Sequence, residues 1–150
     1  MKKMVLHRLS FLYIFLFQII FSQNVTITFN VDMSGVDAVD AGGVFVGGGS
    51  LFGSPGDNPL IDDDGDGIYS GTVTLPENSG SHYTFLNGNC GDWSCKEQIG
   101  GQDCSDASNY NDRRIDWMSA DTTVNACFAR CGDGSCSSLP AQTVQVTFST

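Results

Sequence analysis

Positive charge is scarce in this 150-residue chain: Lys and Arg number 7 against 17 Asp and Glu, a formal net charge of −10. Three of those basic residues, Lys2, Lys3 and Arg8, precede the apolar run FLYIFLFQIIFS. A charged start followed by about a dozen apolar residues reads as a secretory signal, shorter than the ~20 residues that span a bilayer. Residues 1–22 are therefore expected to be a signal peptide cleaved after Ser22, with an uncleaved anchor as the alternative. No cysteine follows the run, which argues against an N-terminal lipid anchor. The remainder keeps Lys96, Arg113, Arg114 and Arg130 against all 17 acids, a net charge of −13. Nucleic acid and anionic membrane both demand cationic patches, so neither is expected as a partner. The protein is expected to be secreted, extracellular or at the cell surface, with no membrane insertion once the signal is gone.

Helix builders are few as well. Ala, Leu, Lys and Glu are sparse and Pro numbers 4, while Gly numbers 18 and Val, Thr, Phe, Ile and Tyr are common. That composition favours strands and turns. About 128 residues remain after the signal, enough for one domain with one core. Past the signal the chain has a single histidine, His82, and no GxSxG elbow surrounds any serine, which argues against Ser-His-Asp chemistry. The glycines of GGVFVGGGS are not a phosphate loop, because no GK[ST] and no helical pattern follow. Glycoside hydrolysis needs two facing carboxylates. Asp92, Glu97, Asp103 and Asp112 cluster in sequence, yet a catalytic groove usually needs a larger scaffold. The segment is expected not to be an enzyme.

What the chain does have is alternation. In NVTITFNVDM, Val25, Ile27, Phe29, Val31 and Met33 share one face, and Thr26, Thr28, Asn30 and Asp32 the other. Period two over this length is a half-buried strand. GVFVG, GIYSGTVTLP, SHYTFLNG, RRIDW and TTVNACF read as further short strands with turn chemistry between them, which indicates an antiparallel sandwich. In the Gly/Pro-rich link GGGSLFGSPGDNPL, Leu51 and Phe52 are the large apolar residues before Leu60, so they dock on the core or face a ligand. After CGDGSCSSLPAQ, the final TVQVTFST repeats the pattern of β-strand NVTITFNV about one domain length later. The expected layout is a sandwich over 23–136, a linker over 137–142 and the start of a second repeat over 143–150. A last strand of the same sandwich is the alternative for that segment.

The six cysteines, Cys90, Cys95, Cys104, Cys127, Cys131 and Cys136, point to three disulfides in a secreted chain. Their spacings are not CxxC, which argues against zinc. Six cysteines allow fifteen pairings. Sequence neighbours close the smallest loops, so Cys90–Cys95 and Cys131–Cys136 are favoured, leaving Cys104–Cys127. Asp62, Asp64 and Asp66 with Gly67 form DxDxDG, alternate carboxylates that could take calcium. An EF-hand also needs Glu at position twelve, where Val73 stands, so that motif fails. A partial calcium loop and a plain exposed Asp/Gly turn remain as readings. No cofactor is required.

The stretch Asn87–Trp117 holds both tryptophans, three cysteines and three of the four remaining basic residues. Sugars present flat C–H faces ringed by hydroxyls, so a site for them wants an exposed aromatic ring flanked by short polar side chains. Trp93 has such neighbours in Asn87, Asn89, Asp92, Lys96, Glu97 and Gln98, and a Cys90–Cys95 bond would fix the loop displaying it. Trp93 capping the core is the alternative. Trp117 ends an alternating strand and is expected in the core or at its rim. Arg113 and Arg114 are expected to pair with nearby acids.

VTITFNVDM, VFVGGGSLFGSPGDNPL, DDDGDGIYSGTVTLP, HYTFLNG followed by DW, and NDRRI together resemble the β-sandwich module repeated in secreted proteins of marine Bacteroidetes. That module in turn resembles the glycogen- and starch-binding sandwich of branching enzymes and of the AMP-activated kinase β subunit. The resemblance implies an all-β, immunoglobulin-like (early-set) antiparallel sandwich with a disulfide-pinned loop region. In those relatives one binding tryptophan lies in an FNGW-like motif, where this chain reads GGGSLFG with Phe52 the nearest substitute. Trp93 matches the second binding tryptophan, and Asn111 an asparagine that touches sugar. The implied function is non-catalytic binding of a polysaccharide or oligosaccharide within a larger secreted protein, a polysaccharide-degrading enzyme or a glycan-capture protein with its own downstream domains. Trp93 would be the stacking platform, Phe52 or Tyr110 a second wall, and Asn111, Lys96 and Glu97 the hydrogen-bonding groups. The rival is a structural or adhesive repeat held by disulfides and calcium, with no sugar site.

Overall fold

A computed structural model describes residues 23–132 and Cys136. The signal peptide, linker and second-repeat assignments, 1–22, 137–142 and 143–150, lie outside the described residues. Seven strands form among the described residues: β1 Asn24–Asp32, β2 Val44–Gly47, β3 Asn58–Leu60, β4 Ile68–Pro76, β5 Ser79–Asn87, β6 Arg113–Met118 and β7 Thr122–Cys127. They make a three-stranded sheet, β4-β1-β7, and a four-stranded sheet, β3-β2-β5-β6. Every pairing is antiparallel except β1 with β7, which run parallel from Ile27 beside Thr122 to Asp32 beside Cys127. No helix among the described residues is long and apolar enough to cross a membrane.

The strand order makes the sandwich immunoglobulin-like. With β1, β2, β3, β4, β5 and β6 as strands B, C, C′, E, F and G, one sheet reads E-B and the other C′-C-F-G, the immunoglobulin arrangement. The departure is β7. It occupies the flank of strand B where strand A lies in immunoglobulin domains, but it comes last in the chain and runs parallel to its neighbour.

Alternation in β1 sets the core. Val25, Ile27, Phe29, Val31 and Met33 are all buried, and their intervening neighbours are partly exposed. Each such side chain contributes about 2 kcal/mol of apolar burial. They pack in one cluster with Val44 and Val46 of β2, Tyr83 and Phe85 of β5, and Ile115 and Met118 of β6. Phe29 and Tyr83 share the centre, Phe29 with ring centroids 5.2 Å from Tyr83, 5.7 Å from Phe52 and 5.9 Å from Phe85, and Tyr83 5.5 Å from both Phe52 and Phe85. Burial pushes the Tyr83 phenol up to about 12.

Phe52 is therefore a core residue, fully buried, and the expectation that it walls a ligand site is corrected. The loop after β2 turns inward because Phe52 N–H donates to Gly48 O at 3.1 Å and Asn58 Nδ2 donates to Phe52 O at 2.6 Å. Trp117 moves the opposite way. Ser81 pairs with Ile115 and Ser79 with Met118, so Gly80 stands opposite both Asp116 and Trp117. This β-bulge adds one residue to β6, returns Met118 to the core and turns the indole outward, where it is 73% exposed.

The disulfides are Cys90–Cys95, Cys104–Cys131 and Cys127–Cys136. The first agrees with the smallest-loop expectation, and the other two correct it. A tight turn explains the exchange: Arg130 N–H donates to Cys127 O, and Ala129 takes φ 58°. The reversal brings Cys131 out beside Gln102, whose Oε1 accepts Cys131 N–H at 2.8 Å, and so next to Cys104. Three disulfides are the bonding state of an oxidising, extracellular type of environment.

Candidate functional site

On β5, Tyr83 and Phe85 face the core, so His82, Thr84 and Leu86 face outward. Thr84 and Leu86 are nevertheless fully buried, because the chain between β5 and β6 folds back over them. Its return is strand-like: Asn87 N–H donates to Cys95 O at 3.0 Å, and Glu97 N–H to Phe85 O at 3.0 Å. Cys90 to Cys95 is a closed loop thrown out of this pairing. At its tip Trp93 takes φ 63°, its amide donates to Cys90 O at 3.2 Å, and its indole is 38% exposed.

A second loop closes the site. Asp106 organises it: Oδ1 accepts the Ser108 hydroxyl at 2.5 Å and the Ser108 amide at 2.9 Å, while Oδ2 meets His82 Nε2 at 2.9 Å. Asp106 N–H donates to Asp112 O, and the amides of Asn109 and Asn111 donate to Asp106 O. The turn so formed puts Tyr110 at φ 54° and Asn111 at φ 59°. Tyr110 is 87% exposed.

Between these loops lies a cavity of about 620 Å³. Gly48 and Gly49 of the turn after β2 and His82 of β5 line it on one side, Trp93 and the returning segment Lys96, Glu97, Gln98 and Ile99 on another, and Asn109, Tyr110, Asn111 and Asp112 of the second loop on the third. Glycine at position 49 is a steric requirement, since a Cβ there would sit 2.3 Å from His82 O and from Ser81 Oγ, at φ 55°. Among the described residues, three of the five non-glycine positions with positive φ, Trp93, Tyr110 and Asn111, line this cavity. Such a backbone costs of order 1 kcal/mol or more for ordinary residues and gathers at ligand sites.

The predicted residues divide. Trp93, Tyr110 and Asn111 come together at the cavity. Lys96 lines it too, but its ammonium is engaged, bonded to the Asp112 carboxylate and to Tyr110 O. Glu97 is corrected from ligand to scaffold. Its side chain is fully buried and both its oxygens are saturated: Oε1 accepts Phe85 N–H at 3.1 Å and Arg113 Nε at 2.8 Å, and Oε2 accepts Arg113 Nη2 at 2.7 Å and Ala129 N–H at 3.0 Å. Arg113 lies over the Phe85 ring, 5.1 Å from its centroid, and Arg114 pairs with Asp116 at 3.0 Å, so both arginines meet carboxylates as expected. Sequence reasoning named Gln98 among the polar neighbours of Trp93 but missed His82, Asn109 and the Gly48–Gly49 pair. The outward position of His82 was available from the alternation of SHYTFLN, whereas the glycines carry no periodic signal.

No protein-family model matches this chain, and no curated protein matches it. Among solved structures the fold is similar to gamma-CGTase from the alkalophilic Bacillus clarkii, at 17% identity and a TM-score of 0.43, covering 71% of this chain and 15% of that one. This chain thus matches a small part of that protein's length.

At the far edge of β4, Asp62, Asp64 and Asp66 each bring a carboxylate oxygen within 4.8 Å of the others. Asp62 also templates the turn, Oδ1 accepting the amides of Gly65 and Asp66 and Oδ2 that of Gly67 at 2.8, 3.1 and 3.0 Å.

Asp106 gives the second loop an acid limit. The Ser108 hydroxyl, then His82, hold its carboxyl down from 3.8 to about 2. A depressed carboxyl stabilises the fold fully above its unfolded value and loses that contribution as pH falls through the folded value. Carbon-detected NMR titration should therefore place the Asp106 midpoint near 2. Ser108→Ala should move the midpoint upward; an unchanged midpoint would contradict the assignment.

Proposed function

We propose that this domain is a non-catalytic carbohydrate-binding module of a larger secreted protein, and that the cavity between the two loops takes neutral polysaccharide or oligosaccharide. The observation that carries the reading is the pair of exposed rings, Trp93 and Tyr110, each held on left-handed backbone at a cavity of about 620 Å³. A ring kept in solvent at a backbone cost is hard to explain by packing, and a flat apolar face beside amides is what a pyranose stacks on. Gln98, Asn109 and Asn111 supply the amide groups. The carboxylates nearby are committed: Glu97 to Arg113, Asp112 to Lys96 and Asp106 to His82 and Ser108. A glycosidase acid needs a raised pKa, and that of Asp106 moves the other way.

Ring stacking of this kind contributes about 1 kcal/mol per contact, so Trp93→Ala and Tyr110→Ala should each weaken binding by roughly fivefold. Affinity electrophoresis through gels containing glycogen, laminarin, xylan or galactomannan reads this directly. At least one polysaccharide should retard the wild type, and both variants should run faster through that gel. Equal, unretarded migration of wild type and Trp93→Ala in every gel ends the reading.

A further inference from the structure

Trp117 is the largest apolar side chain that the candidate site leaves unused. It is 73% exposed at the β5–β6 bulge. Its placement is specific. The extra residue in β6 sets Asp116 and Trp117 both opposite Gly80, where a Cβ would sit 3.0 Å from Ile115 O and 3.3 Å from Trp117 N, so the close approach of the bulged strand requires glycine there. Bulges that re-aim a side chain in this way are features of function more often than defects of a ladder.

The same face leads to the cavity. His82 lines the cavity and stands directly opposite Arg114 across the β5–β6 ladder. Gly80 is two residues along β5 from His82, a step of about 7 Å. The guanidinium of Arg114 is steadied by Asp116 at 3.0 Å and is largely exposed. From the cavity, a strip on the outer face of β5 and β6 thus runs from His82 and Arg114, which can hydrogen-bond hydroxyls, to the exposed indole of Trp117.

We propose that one glycan chain occupies both places, with its body in the Trp93–Tyr110 cavity and its continuation over His82 and Arg114 onto Trp117. This rests on the carbohydrate reading of the cavity and adds the ligand's form: an extended polymer segment, recognised along several residues, in preference to a mono- or disaccharide or a chain end. The occupant is argued from continuity, since the strip begins at a cavity-lining residue.

Chain-length dependence tests this. Calorimetric titrations use the malto-, laminari-, xylo- and manno-oligosaccharide series, from disaccharide to octasaccharide, with wild type, Trp117→Ala and Trp93→Ala. Trp117 is exposed, so its replacement should leave the thermal unfolding midpoint in place. In the series that binds, wild-type affinity should keep rising beyond the trisaccharide. Trp117→Ala should match wild type on the shortest bound members and bind the longest ones roughly three- to tenfold less tightly. Trp93→Ala should weaken every length. If Trp117→Ala equals wild type at all lengths while Trp93→Ala is weakened, the extension is wrong and the cavity reading survives. If wild type binds no member of any series, both are wrong.

Discussion

Glu97→Gln should lower the free energy of unfolding by about 3–5 kcal/mol, a large share of the 5–15 kcal/mol typical of a domain. The change removes the charge that balances Arg113 inside the protein, where the guanidinium stays buried over Phe85. It also turns an amide nitrogen toward donors, since all four bonds to the Glu97 carboxylate come from N–H groups. Urea unfolding should show a lower midpoint with an unchanged slope. The double replacement Glu97→Leu with Arg113→Leu is more telling. A buried ion pair can often be exchanged for apolar residues at little cost. Here the pair also serves four backbone groups, Phe85 N–H, Ala129 N–H, Cys127 O and Arg130 O. Phe85 N–H and Ala129 N–H lose their acceptor, at about 1–3 kcal/mol each, so the double variant should remain several kcal/mol below wild type. Full recovery would show that the pair is an ordinary ion pair and not the clasp joining β5, β6 and the turn after β7.

Loss of the Cys104–Cys131 bond should come next in size. The bond spans 27 residues and Cys90–Cys95 spans 5. On chain-entropy grounds, replacing both cysteines by serine should cost about 3.5 kcal/mol for the longer bridge and about 2 kcal/mol for the shorter. The longer bridge also fixes Gln102, whose amide donates to Ala129 O at 3.1 Å. Denaturation of the two double-serine variants should rank them in that order, and the reverse order would contradict it. Their effects on binding should rank the opposite way, because Cys90–Cys95 closes the loop that presents Trp93.

The scaffold was legible where burial follows a period. The clean alternation of β1 gave both the strand and its core face, and SHYTFLNG gave β5. Trp93 was singled out by its polar neighbours and Asn111 by the resemblance to the glycogen-binding sandwich, and the structure brings both to one cavity with Tyr110. What escaped reading depended on three-dimensional exchange. The extra residue in β6 cancels the period at Asp116 and Trp117, and nothing in RRIDW announces it. Glu97 read as a hydrogen-bonding ligand residue, and its structural role follows only from meeting Arg113 sixteen residues away. Phe52 sits in a glycine-rich link with no periodicity, so only the hydrogen bonds of the loop decide that it turns inward. The two longer disulfides follow from the reversal at Ala129, a left-handed residue that sequence does not mark.

The parallel pairing of β1 and β7 has a mechanical consequence. The chain enters the sandwich at Asn24, beyond one end of the shared ladder, and leaves it at Cys127, beside Asp32 at the other end. Tension applied across the domain would pull these two neighbours in opposite directions along their common axis. Their hydrogen bonds would then bear the load together, in shear, where a hairpin pulled from its open end would unzip bond by bond.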